Sequence, residues 1–186
     1  MDTRKIRGAA LNNDLAYIRQ QEGEKRTNEL IRKIREERDS NFDPGKINGM
    51  SWYPLEWQEY LLLETKKQLQ WQEKDIFQMG YHAPQYSILL KIFLRYFLGT
   101  ESALRNSNRS WRQHYNIGRV SRHKIDKKKK QIFFKIEDFY VDPVLCPLLQ
   151  GALSFFASMA TGKEIKVKEA QCELKEKGYC EIVLVW

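Results

Sequence analysis

The chain has 186 residues, 42% of them hydrophobic, enough to bury a core in a domain of ordinary size. Its formal net charge is +8, and its three cysteines are an odd count without a disulfide framework around them, which points to reduced thiols or metal ligands. No apolar run approaches the roughly 20 residues that cross a bilayer, and the N-terminus has no apolar core of the signal-peptide kind, so a cytoplasmic protein without membrane insertion is expected.

Residues 1–13 are polar and read as frayed. From Asp14 to about Asp39 the pattern predicts a helix with a thin apolar seam of Leu15, Ile18, Leu30, Ile31 and Ile34, and Glu29 and Lys33 are spaced for an i,i+4 pair. The loop from Ser40 to Pro54 is rich in Gly, Pro and Asp and marks a boundary. Residues 1–45 are therefore read as an N-terminal helical extension or linker, and 46–186 as the domain. Ser51 as a cap and Pro54 near the first turn open a helix running to about Phe77, with Gly80 beyond it. A further helix, dense in aromatics, is predicted from about Pro84 to Leu98, and another from Ser102 to about His114.

From about Tyr115 the period becomes that of a strand. Ile117, Val120 and Ile125 precede the basic turn DKKKK, and the run from Gln131 to Val141 follows it, giving a hairpin with a lysine tip. Asp142 is a candidate N-cap for a helix from Leu145 to Ala160 that is apolar nearly all round and so is expected to be buried. Ile165 and Val167 then alternate with charged residues, a polar turn follows, and the chain closes on a β-branched run from Cys180. The sum is an α+β fold: N-terminal helices packed on an antiparallel sheet built from two hairpins separated by a buried helix.

All three cysteines fall in the last part of this pattern. Cys146 starts the buried helix, Gly151 lies inside it, Thr161 and Gly162 end it, Glu169 stands three residues before Cys172, and Cys180 follows past the turn, at the facing end of the same hairpin. This arrangement resembles the C-terminal signature of the 4-vinyl reductase (4VR-type) domain. That domain belongs to a ligand-binding superfamily shared with aromatic-sensing activator domains, haem nitric-oxide sensors and TRAPP vesicle-tethering subunits. In the aromatic-sensing relatives the matching positions bind zinc, so the resemblance implies Cys146, Glu169, Cys172 and Cys180 as ligands of a structural zinc. Three thiolates and a carboxylate would fill a tetrahedral site and leave no place for a catalytic water. Taken alone, the spacing E-x2-C-x7-C is not a common zinc pattern, and buried cysteines packing as small hydrophobes account for it equally.

Relatives of this fold often enclose an apolar ligand. A small hydrophobic or aromatic ligand is therefore expected here, with Trp57, Tyr86, Phe93, Trp111 and Phe156 as lining residues; Trp52, Tyr81 and Phe155 are further candidates, and His82 or His114 could add a hydrogen bond. The alternative is that these rings fill a core. The basic excess is local: residues 105–130 hold ten Lys and Arg against one acid, Asp126. That patch suits a nucleic-acid or protein adaptor as the second functional reading, against a solvated hairpin tip whose lysines discourage edge pairing. A TRAPP-like dimeric assembly subunit is the third, and a homodimer is expected under the first as well. No phosphate loop, HExxH, nucleophile elbow or CxxC is present, so the leading expectation is a non-catalytic, zinc-stabilised sensory domain.

Overall fold

The structure, a computed structural model, describes residues 4–86 and 107–186; within the latter the side chains of residues 107, 110, 121–123, 125, 160 and 169 are outside the description. The helix expected from Pro84 to Leu98 lies beyond the described residues after Tyr86, where a 3-10 turn, Ala83–Tyr86, ends.

The N-terminal segment is ordered from Arg4, against the expectation of fraying. Strand β1 (Lys5–Arg7) pairs antiparallel with β2 (Trp52–Pro54), and Ile6 bridges to Tyr115. Helix α1 (Gly8–Glu37) begins six residues before the apolar seam suggests. Its first amides are satisfied by the loop behind it: Gly8 N donates to Ser51 O at 2.9 Å and Ala9 N to Gly49 O at 3.0 Å. Gly23, at φ 80° and ψ 167°, breaks α1 into two halves. Leu11, Leu15 and Ile18 anchor the first half and Leu30 and Ile34 the second, all at most 1% exposed. Lys33 pairs with Glu37 rather than with Glu29.

The single helix expected between Ser51 and Phe77 is two, α2 (Glu56–Leu69) and α3 (Glu73–His82). Gln70 turns left-handed at φ 59°, and Gln72 with Asp75 forms a capping box that starts α3. Helix α4 (Ser107–His114) leads into β3 (Arg119–Asp126) and β4 (Gln131–Glu137). Asp142 accepts from Val144 N at 2.9 Å just ahead of α5 (Leu145–Thr161), and β5 (Lys166–Glu173) and β6 (Tyr179–Val185) close the chain.

The four long strands form an antiparallel sheet in the order β3-β4-β6-β5. Alternation sends Ile132, Phe134 and Ile136 of β4 and Cys180, Ile182 and Leu184 of β6 to the inner face, where all are buried. Helix α5 packs against that layer and α3 against α5. The α3–α5 contact is made through glycines: a Cβ on Gly80 would overlap the Leu148 backbone, and one on Gly151 the Phe77 carbonyl. Residues of α1, α2 and β1 share one continuous core with the sheet, so the segment read as an extension contributes Ile6, Leu11, Leu15 and Ile18 to the same interior. A polar tie closes the ends. Arg4 reaches Glu56, Glu59 and the Tyr140 carbonyl, and Glu59 Oε1 also accepts from Asp142 N at 3.0 Å.

Candidate functional site

Six rings run in a row, three of them buried (Trp71, Tyr17 and Phe155) and three half-buried (His82, Tyr81 and Phe156), drawn from α1, the α2–α3 connection, α3 and α5. Trp71 meets Tyr17 edge-on at 6.0 Å, and Tyr17 stacks on His82 at 6.2 Å. His82 meets Tyr81 at 5.0 Å, Tyr81 meets Phe155 at 5.8 Å, and Phe155 meets Phe156 at 5.8 Å. Period explains the convergence: α3 offers Tyr81 and His82 at its last turn, where the glycine contact holds it against α5 and the Phe155–Phe156 pair.

Polar groups are sparse along the row and mostly committed. Trp71 Nε1 donates to Glu22 at 2.7 Å, Tyr81 Oη donates to Ser158 Oγ at 3.3 Å, and the Gln85 amide donates to His82 Nδ1 at 3.0 Å. Burial, with the nearby Tyr86 phenol and Asp75, raises the Tyr17 hydroxyl above its ordinary range. Ser154, next to Phe155 and fully buried, has an Oγ without a hydrogen-bond partner among the described residues. A buried hydroxyl left unpaired carries a desolvation cost, which a ligand acceptor or donor would relieve.

The ring residues expected from sequence divide among separate clusters. Trp57 stacks on Tyr53 and meets Phe42 edge-on, with Nε1 donating to Asp39 at 2.8 Å. Trp111 packs with Tyr115 and Phe139 at 4.8 Å each, and its Nε1 donates to the Ile117 carbonyl. Phe156 belongs to the row, Tyr86 stands 39% exposed at its margin, and Phe93 is outside the described residues. Tyr17 and Trp71 are the members that sequence reasoning missed; Tyr17 falls on α1, and Trp71 on the break between α2 and α3, inside what the sequence presents as one continuous helix.

A second buried feature is a polar chain. Tyr115 Oη donates to Gln58 Oε1 at 3.1 Å, and Gln58 Nε2 donates to Asp14 Oδ2 at 2.7 Å. Burial pushes the Asp14 carboxyl up to about 7, partly opposed by the Gln58 bond, and raises the Tyr115 phenol far above its usual range. His114, on the adjoining turn, is held below the usual imidazole range by burial and then by the Arg7 charge; its Nδ1 has no partner among the described residues.

The cysteines do not meet as a ligand set. Cys172 and Cys180 face each other across β5 and β6, with Cα atoms 4.0 Å apart, and are joined as a disulfide. The hairpin geometry that sequence assigned to them is therefore present, but it bonds the sulfurs to each other instead of leaving reduced thiols. Cys146 is free, and burial, with Glu73 and Asp142 nearby, pushes its thiol up to about 11. The side chain of Glu169 is outside the description, and among the described residues no group of three or more His, Cys, Asp or Glu could hold a metal. Among the described residues no helix is long and apolar enough to cross a membrane. The lysine tip, residues 127–130, is exposed.

No family model matches the sequence, and no curated protein matches it. Solved structures match along nearly the whole chain. An H-NOX protein from S. oneidensis in the Fe(II)NO ligation state aligns with a TM-score of 0.70 at 14% identity, covering 96% of this chain and 98% of that one. Unliganded Fe(II) H-NOX from K. algicida gives 0.66 at 11% identity over 97% and 96%. A structure described for haem redox potential and porphyrin distortion gives 0.63 at 11% over 96% and 98%. The chain thus has the H-NOX fold.

Proposed function

We propose that this chain is a non-catalytic sensory domain whose interior row of rings takes a small apolar or aromatic ligand, without haem. The observation that carries the reading is the whole-length likeness to H-NOX proteins, joined to an interior that keeps rings and one unpaired hydroxyl where a ligand would sit. The 4-vinyl reductase resemblance adds a second, apolar-ligand branch of the same superfamily.

Haem would supply gas-binding iron chemistry, and the protein would have to hold it through a His, Cys, Tyr or Met side chain. The described residues do not fit it. The sequence has three histidines. His82 is stacked on Tyr17, with Nδ1 taken by Gln85. His114 sits within the field of the Arg7 cation. His123 is on β3, its side chain outside the description. Cys172 and Cys180 are bonded together, and Cys146 is held as the neutral thiol. Among the described histidines only His114 has a buried ring nitrogen, Nδ1, without a partner, and it lies beside the Arg7 cation rather than along the row of rings.

Zinc enters this reading only on a reduced hairpin, where the thiolates of Cys172 and Cys180, with Cys146 and Glu169, would be its ligands. Metal content measured after purification with and without reductant tests that part separately: zinc at one per chain in the reduced protein supports it, and metal-free protein in both removes it.

The main test is a titration with haemin alongside a thermal-shift panel of small aromatics and fatty acids. The expected result is no stoichiometric Soret band and a raised unfolding midpoint with at least one aromatic. A one-to-one haem complex whose spectrum changes in His114→Ala, or a panel without any stabilising compound, would overturn the proposal.

A further inference from the structure

The sheet turns its other face away from the core, and that face has two unlike halves. In register, the row nearest the β3–β4 turn runs Asp126, Gln131, Val185, Lys166; the next runs Lys124, Phe133, Val183, Glu169. Phe133, Val183 and Val185 are half-buried and alternate with the core-facing Ile132, Phe134, Ile182 and Leu184. Farther along, charge is internally neutralised: Lys135 pairs with Glu137 and Glu181, and Lys177 with Glu173. Around the apolar rows it is not. Lys124, the lysines at 127–130, Lys166 and Lys168 are all exposed, and none has a carboxylate at ion-pair distance among the described residues.

We propose that this half of the sheet docks single-stranded nucleic acid, with phosphates along the lysines and an unstacked base on the ring of Phe133. The charge complementarity is local and mainly basic: seven lysines surround rows that hold two acids, Asp126 and Glu169, and phosphate binding calls for that excess. A half-buried aromatic on an antiparallel sheet, with lysines around it, offers a stacking surface to an unpaired base, whose own face a duplex keeps covered. A membrane is the weaker fit, because the three apolar side chains are already half-buried in the sheet. The charge-paired half of the face bounds the site on one side and limits it to a short stretch of strand. The surface lies across the sheet from the ring row, so it stands or falls apart from the interior reading.

Fluorescence polarisation of a labelled oligouridylate tests it, against a DNA duplex, polyglutamate and anionic vesicles as competitors. Binding at low salt should weaken with a log-log slope of about −0.7 per phosphate engaged. Phe133→Leu, which keeps an apolar side chain and removes the π-face, should weaken binding about tenfold at unchanged salt slope. Lys127→Gln with Lys128→Gln should flatten the slope; these two positions are exposed at the tip, so the pair reports even if Phe133→Leu proves unstable in a thermal-unfolding check. No binding at the lowest salt, an unchanged affinity in folded Phe133→Leu, or competition by duplex, polyglutamate or vesicles as strong as by oligouridylate would each overturn the proposal.

Discussion

Gln58 hands its side-chain amide to Asp14 at 2.7 Å inside the packing of α1 on α2. The carboxyl is fully buried, and its proton is held up to about pH 7 against 3.8 for the ordinary group. A folded value above the unfolded one means that the contribution to stability is complete below about pH 4 and is lost as pH rises through about 7. The separation of about three pH units corresponds to at most about 4 kcal/mol. His114 acts in the opposite sense, since its lowered value makes protonation below its ordinary 6.5 unfavourable to the fold. Asp14→Asn isolates the first effect: urea unfolding should show the variant gaining on the native chain between about pH 4 and pH 7 and keeping a constant difference above that. Parallel stability curves would contradict it.

Gly80 and Gly151 leave no room for a methyl where α3 crosses α5. Gly80→Ala and Gly151→Ala should each lower stability by about 2–3 kcal/mol, because the atoms in the way are backbone and cannot turn aside. A drop in urea midpoint measures this, and a change within error in both variants would mean that the helices are not in backbone contact.

Under non-reducing conditions the folded chain should show one thiol, Cys146, that reacts slowly with iodoacetamide near neutral pH and quickly after unfolding. Its thiolate is scarce because burial, Glu73 and Asp142 hold the proton on. The double change Cys172→Ser with Cys180→Ser should cost about 2–3 kcal/mol, the closure term for so short a loop. Rapid labelling of all three cysteines in the native state would rule out the pairing.

Ser154→Ala separates packing from binding. Removing an unpaired buried hydroxyl should leave the free protein as stable, or more stable by up to about 1 kcal/mol. If a ligand uses that hydroxyl, its thermal shift should shrink in the variant while the apolar part of the shift persists. An identical shift in both proteins would place the ligand away from Ser154.

The hairpins could be read from sequence because alternation is local: the runs around Ile132 and Ile182 carry period two, with turn residues between them. The break at Gln70 could not, since a left-handed glutamine has no compositional marker and the apolar period continues through Trp71. The start of α1 at Gly8 was hidden for a related reason. Its amides are satisfied by the carbonyls of Gly49 and Ser51, some 40 residues away in sequence, where no local cap can be seen. Cys172 and Cys180 were rightly placed opposite each other, but spacing alone does not choose between a bond and a shared metal. Four of the six rings in the row were visible, Tyr81, His82, Phe155 and Phe156. What assembled it was the glycine contact, a tertiary fact carried by the absence of two side chains.

Arg4 holds two glutamates of α2 and the carbonyl of Tyr140, a partner 136 residues away. Glu59 in turn receives the amide of Asp142. On a ribosome adding about 5–20 residues each second, the interval between the synthesis of Arg4 and that of Tyr140 is on the order of ten seconds. During that time the guanidinium can close only on α2, and the α1–α2 layer must wait without the sheet that completes its core. Contacts of such range slow the search for the native state. A substitution at Arg4 should therefore act on refolding rate as well as on stability, through the order in which the two halves of the molecule meet.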